Sequence, residues 1–246
     1  MHTEYHPYKP ERVAIFEANF QELTGILDEI AMLLDELINP INLKFSAGTN
    51  GENKTEYIPY VLAYSLASVY SNACLLSKNN QHLATAILGR SIVECMANIN
   101  WLYISVNDKD ELDSKINILF NQAEKVYDLT SSKSSYVPSL AKLGAGSIVD
   151  RLRAVGTGWP ILYSHLSSYA HMDAGYAVHY SLNETLGMRN LAINIASYAV
   201  VDSVDKLAQL LPIKKVAKKR ILRTNRQLDA KLDEFVNSKA TQWERP

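Results

Sequence analysis

Arg90 and Glu94 are a pair whose types and spacing could do chemistry. Four positions apart, they share one face of a helix. Their neighbours Ile87, Leu88, Ile92, Val93 and Met96 are apolar, so the charged pair is expected to be partly buried. A buried guanidinium needs a carboxylate and further acceptors, because its desolvation otherwise exceeds the attraction. Two roles are open: an ion pair that fixes helix register, or an arginine that holds an anion or phosphate while Glu94 orients it.

A second constellation lies in Tyr163-Ser164-His165-Leu166-Ser167-Ser168-Tyr169-Ala170-His171. On a helix Ser164, Ser167, Ser168 and His171 form one broad stripe, with Tyr163, Ser167 and His171 each one turn apart. The small hydroxyls allow close helix approach. Alternatively, a histidine backed by hydroxyls serves as general acid or base near neutral pH. Asp173 is two positions from His171 and points elsewhere on a helix. His165 and His179 read as solvated or capping residues. The six histidines do not cluster with carboxylates at metal-ligand spacing, so no metal and no cofactor is expected. Walker, GxGxxG, HExxH and GxSxG motifs are missing. Gly144-Ala145-Gly146 lacks the preceding strand and the following glycine of a phosphate loop.

The segment Gly89-Arg90-Ser91-Ile92-Val93-Glu94, followed by Trp101-Leu102-Tyr103, resembles the R-x-x-x-E … aromatic-Leu helix of a family of uncharacterised bacterial helical proteins. That family's later Y-x-x-x-S-x-x-x-H motif is matched by Tyr163, Ser167 and His171. The similarity spans roughly residues 60 to 205. The family is grouped loosely with HEPN-like bundles, many of them RNases or toxins of defence and toxin–antitoxin loci. The resemblance implies a homodimer that cleaves RNA without metal, with Arg90, Glu94 and His171 catalytic and Tyr163 and Ser167 in support. It also implies a protein partner from the same operon. HEPN nucleases place their His four to six residues after the Arg on one helix. Here Arg90 and His171 lie on different helices about eighty residues apart, so they can act together only if the fold brings them together. The other reading is a non-enzymatic dimerising or sensor module, in which the Arg90–Glu94–His171 network is structural.

The elements that must position these residues are helical. Of 246 residues 47% are hydrophobic, enough for a sizeable core, and only 10 Gly and 8 Pro argue against a turn-rich β protein. Residues 10–38 form a long helix with apolar positions Val13, Phe16, Phe20, Leu23, Leu27, Ile30, Leu34 and Leu37, alternating steps of three and four. Ile26 and Leu33 widen this seam toward a bundle helix, and Asn39-Pro40 is expected to end it. A loop follows over 41–56. A core bundle over 57–211 contains helices near 58–78, 81–106, 110–129, 148–154, 161–172 and 185–211, with Leu112, Ile116, Leu119, Ala123 and Val126 inward on the fourth. An irregular excursion covers 130–160. A basic helix over 213–238 closes the chain. The reading is one all-α domain, 1–246, a bundle of about seven helices.

Charge sorts the remaining possibilities. The formal net charge is −1, so no global attraction to nucleic acid or anionic lipid exists. Locally, Lys214, Lys215, Lys218, Lys219, Arg220 and Arg223 form a run without an acid, whereas the first helix carries Glu17, Glu22, Asp28, Glu29, Asp35 and Glu36. The two can pair with each other, or the basic run can grip RNA phosphates. Cys74 and Cys95 sit in apolar helical segments, as buried free thiols of a cytoplasmic protein do. The first ten residues have no apolar core, so no secretory leader is expected. Tyr57 to Ser77 carries no charge and is long enough to span a bilayer, yet its Tyr, Ser and Asn side chains favour a protein core, and no membrane contact is expected.

Overall fold

A computed structural model describes residues 10–45, 54–127, 140–171 and 185–243. Eight α-helices account for most of them: α1 (Pro10–Phe45), α2 (Lys54–Lys78), α3 (His82–Tyr103), α4 (Lys109–Tyr127), α5 (Ile148–Val155), α6 (Trp159–Ala170), α7 (Thr185–Leu210) and α8 (Lys215–Trp243). A 3-10 turn spans Leu140–Leu143, and no strand occurs among the described residues.

The seam of α1 is consumed inside the subunit. Phe20, Leu23, Leu27, Ile30, Leu34 and Leu37 are all buried, and α1 packs on α2, α7 and α8. Burial also explains where this helix departs from expectation. It runs through Pro40 to Phe45 instead of ending at Asn39. Proline removes one backbone hydrogen bond and crowds the preceding turn. Ile38 and Ile41 flank it and are both buried in the main core, which offsets that local cost. The expected loop over 41–56 is correspondingly shorter: α1 takes residues 41–45 and α2 begins at Lys54. Residues 46–53 lie outside the described residues.

α3 and α7 form the centre. They pack along most of their length, and α3 also meets α2, α5 and α6. Gly89 permits the approach: a β-carbon there would stand 3.2 Å from the carbonyl oxygen of Ala192. Near the other ends of these helices the Tyr103 hydroxyl donates to Gln209 Oε1 at 3.4 Å, so α3 and α7 run parallel. α6 lies antiparallel to α3, with Leu166 beside Gly89. A smaller apolar cluster of Ile58, Leu102, Leu112, Ile116, Leu119 and Leu140 joins α2, α3 and α4 to the 3-10 turn. Leu112, Ile116 and Leu119 thus point inward as expected; the side chains of Ala123 and Val126, and Leu129 itself, lie outside the described residues.

The acidic helix and the basic helix pair within the chain. Glu22, Glu29 and Glu36 of α1 meet Lys239, Lys231 and Arg220 of α8 at 2.7, 2.6 and 3.2 Å. Successive acids are seven residues apart, one per two turns of the same face. Among the described residues no helix is long and apolar enough to cross a membrane. The uncharged stretch 57–77 belongs to α2, and its Ala63, Leu66, Tyr70 and Ala73 are core residues.

Candidate functional site

α3 and α6 bring Arg90, Glu94, Tyr163 and His171 together. Arg90 Nε donates to Glu94 Oε1 at 3.0 Å, the one-turn pair legible in the sequence. Arg90 Nη1 stands 2.9 Å from His171 Nε2. Guanidinium nitrogens only donate, so Nε2 accepts and the ring proton sits on Nδ1. The Tyr163 hydroxyl donates to Glu94 Oε1 at 2.7 Å, and the Arg90 guanidinium lies 5.4 Å from the Tyr163 ring centre. One carboxylate oxygen therefore receives both an arginine and a phenol.

The local structure explains this convergence. Gly158, Trp159 and Pro160 start α6, proline being well suited to a first helical turn. About three turns on, the helix stops, and His171 caps it with its backbone N–H bonded to Ser167 O at 3.0 Å. The imidazole is exposed, and the Arg90 and Glu94 side chains retain 25% and 39% of their accessible surface. The cluster is thus open to solvent and not sealed in the core. Burial lowers the affinity of Arg90 for its proton, but Tyr163 and Glu94 outweigh it and leave the guanidinium above its usual range. Burial, with the hydrogen bond to Glu94, raises the Tyr163 phenol. Tyr163 is therefore a neutral proton donor at physiological pH.

Ser167 behaves differently. Its hydroxyl oxygen is buried and finds no hydrogen-bond partner, so it does not join the cluster directly. Asp173 and His179 lie outside the described residues; His165 is exposed.

Arg151 is a neighbour that reading the sequence passed over. Ser147 and Asp150 form a reciprocal cap that starts α5 and places Arg151 in its first turn. Gly144 and Gly146 take positive φ, +96° and +72°, and the turn they make presents the carbonyls of Ala145 and Gly146 to Arg151 Nη1 at 3.2 and 2.8 Å. The Gly-Ala-Gly turn offers acceptors to a cation here, the opposite of a phosphate cradle. Burial lowers the Arg151 pKa, while the charges of Glu94 and Tyr163 pull it up. Arg151 thus belongs to the same electrostatic neighbourhood. Its Nε is buried without a partner. An arginine with no charged residue one helical turn away carries no spacing signal that would have marked it.

The basic run stands apart. α8 is antiparallel to α7, since Asn225 bonds Val201 O and Tyr198 bonds Asp233. Lys214 to Arg223 therefore lie at the C-terminal end of α7, whereas Arg90 lies near Ala192; the axial separation is on the order of 25 Å. Within the run Arg220 is engaged by Glu36. Lys214, Lys215, Lys219 and Arg223 are exposed and Lys218 partly so.

Comparison of the chain with protein-family models, with curated proteins and with solved structures finds no match. Among the described residues no group of three or more His, Cys, Asp and Glu is placed to hold a metal ion. The chemistry this cluster offers is that of a guanidinium with free N–H groups, an imidazole and a phenol, which together suit an anionic substrate that must gain and lose protons.

Proposed function

We propose that the chain is a HEPN-like, metal-independent endoribonuclease of a bacterial defence or toxin–antitoxin system, working at the Arg90–Glu94–Tyr163–His171 cluster. The observation that carries this reading is the 2.9 Å approach of Arg90 to His171 in a solvent-open setting. A phosphodiester competes with the imidazole for the guanidinium, because a charged acceptor makes the stronger hydrogen bond. Arg90 then turns toward phosphate and frees His171 Nε2. That nitrogen removes the ribose 2′-OH proton, the 2′ oxygen attacks phosphorus, and the 5′ oxygen leaves with a proton from the Tyr163 phenol. The products are a 2′,3′-cyclic phosphate and a 5′-hydroxyl, and Glu94 keeps the guanidinium aligned throughout. The exposed lysines of α8 serve as a distal phosphate grip on a long RNA. A homodimer and an operon-encoded protein partner belong to the same proposal. Because the α1 seam is already buried, such a dimer uses another face.

A second reading rests on the saturation of the cluster. Glu94, Tyr163 and His171 each already have a partner within it. The network then acts as a clasp between α3 and α6 in a non-enzymatic module. RNA degradation by pure protein in excess chelator separates the two. Cleavage that leaves cyclic-phosphate ends and is lost in His171→Ala and Arg90→Ala supports the nuclease. Intact RNA with folded wild-type protein refutes it.

A further inference from the structure

We propose that the groove between α6, α7 and α8 binds an organic cation with an apolar body, in its simplest form a primary alkylammonium. α8 packs on α7, whereas α6 packs on α3 and hardly touches either, and the gap between the three holds two adjoining cavities. They share Trp159 and Tyr198 as a common wall. The first, about 420 Å³, is lined by Leu162, Leu191, Ile195, Phe235 and Val236. The second, about 460 Å³, carries Tyr103, Asp202, Asp205 and Asp229. Either lies within the size range of small-molecule sites. One compartment is thus a greasy slot, and the next combines three carboxylates with three aromatic rings, the surroundings that attract a cation through both charge and ring faces.

The carboxylates are unevenly engaged. Asp202 is held by Lys206 at 2.5 Å, and Asp205 accepts from Asn225 at 2.9 Å. Asp229 has no hydrogen-bond or ion-pair partner among the described residues. Its carboxyl is raised by burial and then by the charges of Asp233, Asp205 and Asp202, a strain that a cation relieves. The cations facing the site are Lys206, already paired, and the exposed Arg226. At the apolar end Lys239 is turned to Glu22 of α1 at 2.7 Å.

This site is distinct from the cluster described above. Trp159 begins α6 and His171 ends it, about 18 Å apart along a helix axis. The inference therefore stands whether or not the chain cleaves RNA.

Isothermal titration with octylammonium tests it, with 1-octanol and octanoate as controls of equal tail and methylammonium as a control for the head. The expected result is saturable one-site binding of octylammonium, at least tenfold tighter than octanol or methylammonium. No saturable binding of octanoate is expected. Asp229→Asn, at an exposed position where folding is safe, is expected to weaken octylammonium at least fivefold and leave octanol unchanged. Trp159→Leu is expected to weaken both. Absence of saturable octylammonium binding overturns the proposal. So does equal affinity for octylammonium and octanol, or an Asp229→Asn protein that binds the amine as tightly as wild type.

Discussion

Arg90 Nη1 and His171 Nε2 are 2.9 Å apart although 81 positions separate them in the chain. Neither residue's own helix dictates this meeting. It follows from the antiparallel approach of α6 to α3, which Gly89 and Leu166 set. The hydrogen bond has one allowed polarity, so it fixes the imidazole tautomer. Two-bond ¹H–¹⁵N correlation spectra at mildly alkaline pH are expected to show His171 with its proton on Nδ1 and a bare Nε2. In Arg90→Ala the same spectra are expected to show a tautomer mixture. A wild-type ring protonated on Nε2, or no change on removing Arg90, contradicts the contact.

The two cysteines test the core chemically. Burial pushes the Cys74 thiol up to about 11 and the Cys95 thiol up to about 12. Cys74 is buried, and Cys95 donates through Sγ to Leu62 O at 3.6 Å. Thiolate is the nucleophile, and at pH 8 its fraction is on the order of 10⁻³ for the first and 10⁻⁴ for the second. Native protein is therefore expected to react with iodoacetamide at least tenfold more slowly than urea-unfolded protein, at both positions. Rapid native labelling of either cysteine, resolved by peptide mass spectrometry, contradicts its burial.

Much of this arrangement was legible from local pattern. The α1 seam needs only the helical period, and Phe20 through Leu37 are buried as that period requires. Arg90–Glu94 is equally local, a matter of one turn. What escaped is what tertiary packing decides. Pro40 is a helix breaker on local grounds, yet Ile38 and Ile41 hold the helix through it. Ser167 has the same spacing to His171 as Tyr163 has to Ser167, but only the outer two reach the cluster, because the middle hydroxyl is turned into the interior. Arg151 and Arg189 have no charged companion four positions away on either side, so nothing in the sequence distinguishes them from surface arginines. The pairing of α1 with α8 lay between: of the basic run only Arg220 meets an acid of α1, Glu36, while Glu29 and Glu22 meet Lys231 and Lys239 beyond the run, a register that required the antiparallel fold.

Asp229 predicts a pH-dependent effect on stability. Its folded-state pKa is raised, by burial first and then by Asp233, Asp205 and Asp202. A carboxyl whose folded pKa exceeds its unfolded value favours folding at low pH, where both states hold the proton more or less equally or the native state holds it better. That advantage is lost as pH rises through the folded value. At neutral pH the ionised Asp229 therefore works against the fold. Asp229→Asn is expected to raise Tm at pH 7 by roughly 1–3 °C. The difference is expected to shrink as pH falls through the raised folded value toward the ordinary carboxylate value, and to be gone below it. A substitution that lowers Tm at pH 7, measured by calorimetry, contradicts the crowding of these acids.

Arg189 is the most deeply buried charge among the described residues, 1% exposed, and it ties three elements together. Its Nη1 meets Glu17 Oε1 of α1 at 3.3 Å and also bonds Asn80 Oδ1 in the α2–α3 turn. Nε donates to Asn190 at 3.1 Å, and the guanidinium stacks 3.8 Å over the Phe20 ring. Asn80 sits at φ +57°, a conformation asparagine tolerates better than most residues. Burial lowers the Arg189 pKa and Glu17 opposes it, so the carboxylate keeps the cation viable inside the protein. Removing one partner of such a pair leaves an uncompensated buried charge, which costs more than removing both. Glu17→Ala is expected to lose about 3 kcal/mol in urea unfolding. Adding Arg189→Met to Glu17→Ala is expected to recover part of that loss, because the methionine keeps the apolar contact with Phe20. If the two substitutions simply add, or if Glu17→Ala costs less than about 0.5 kcal/mol, the interior charge is not held by Glu17.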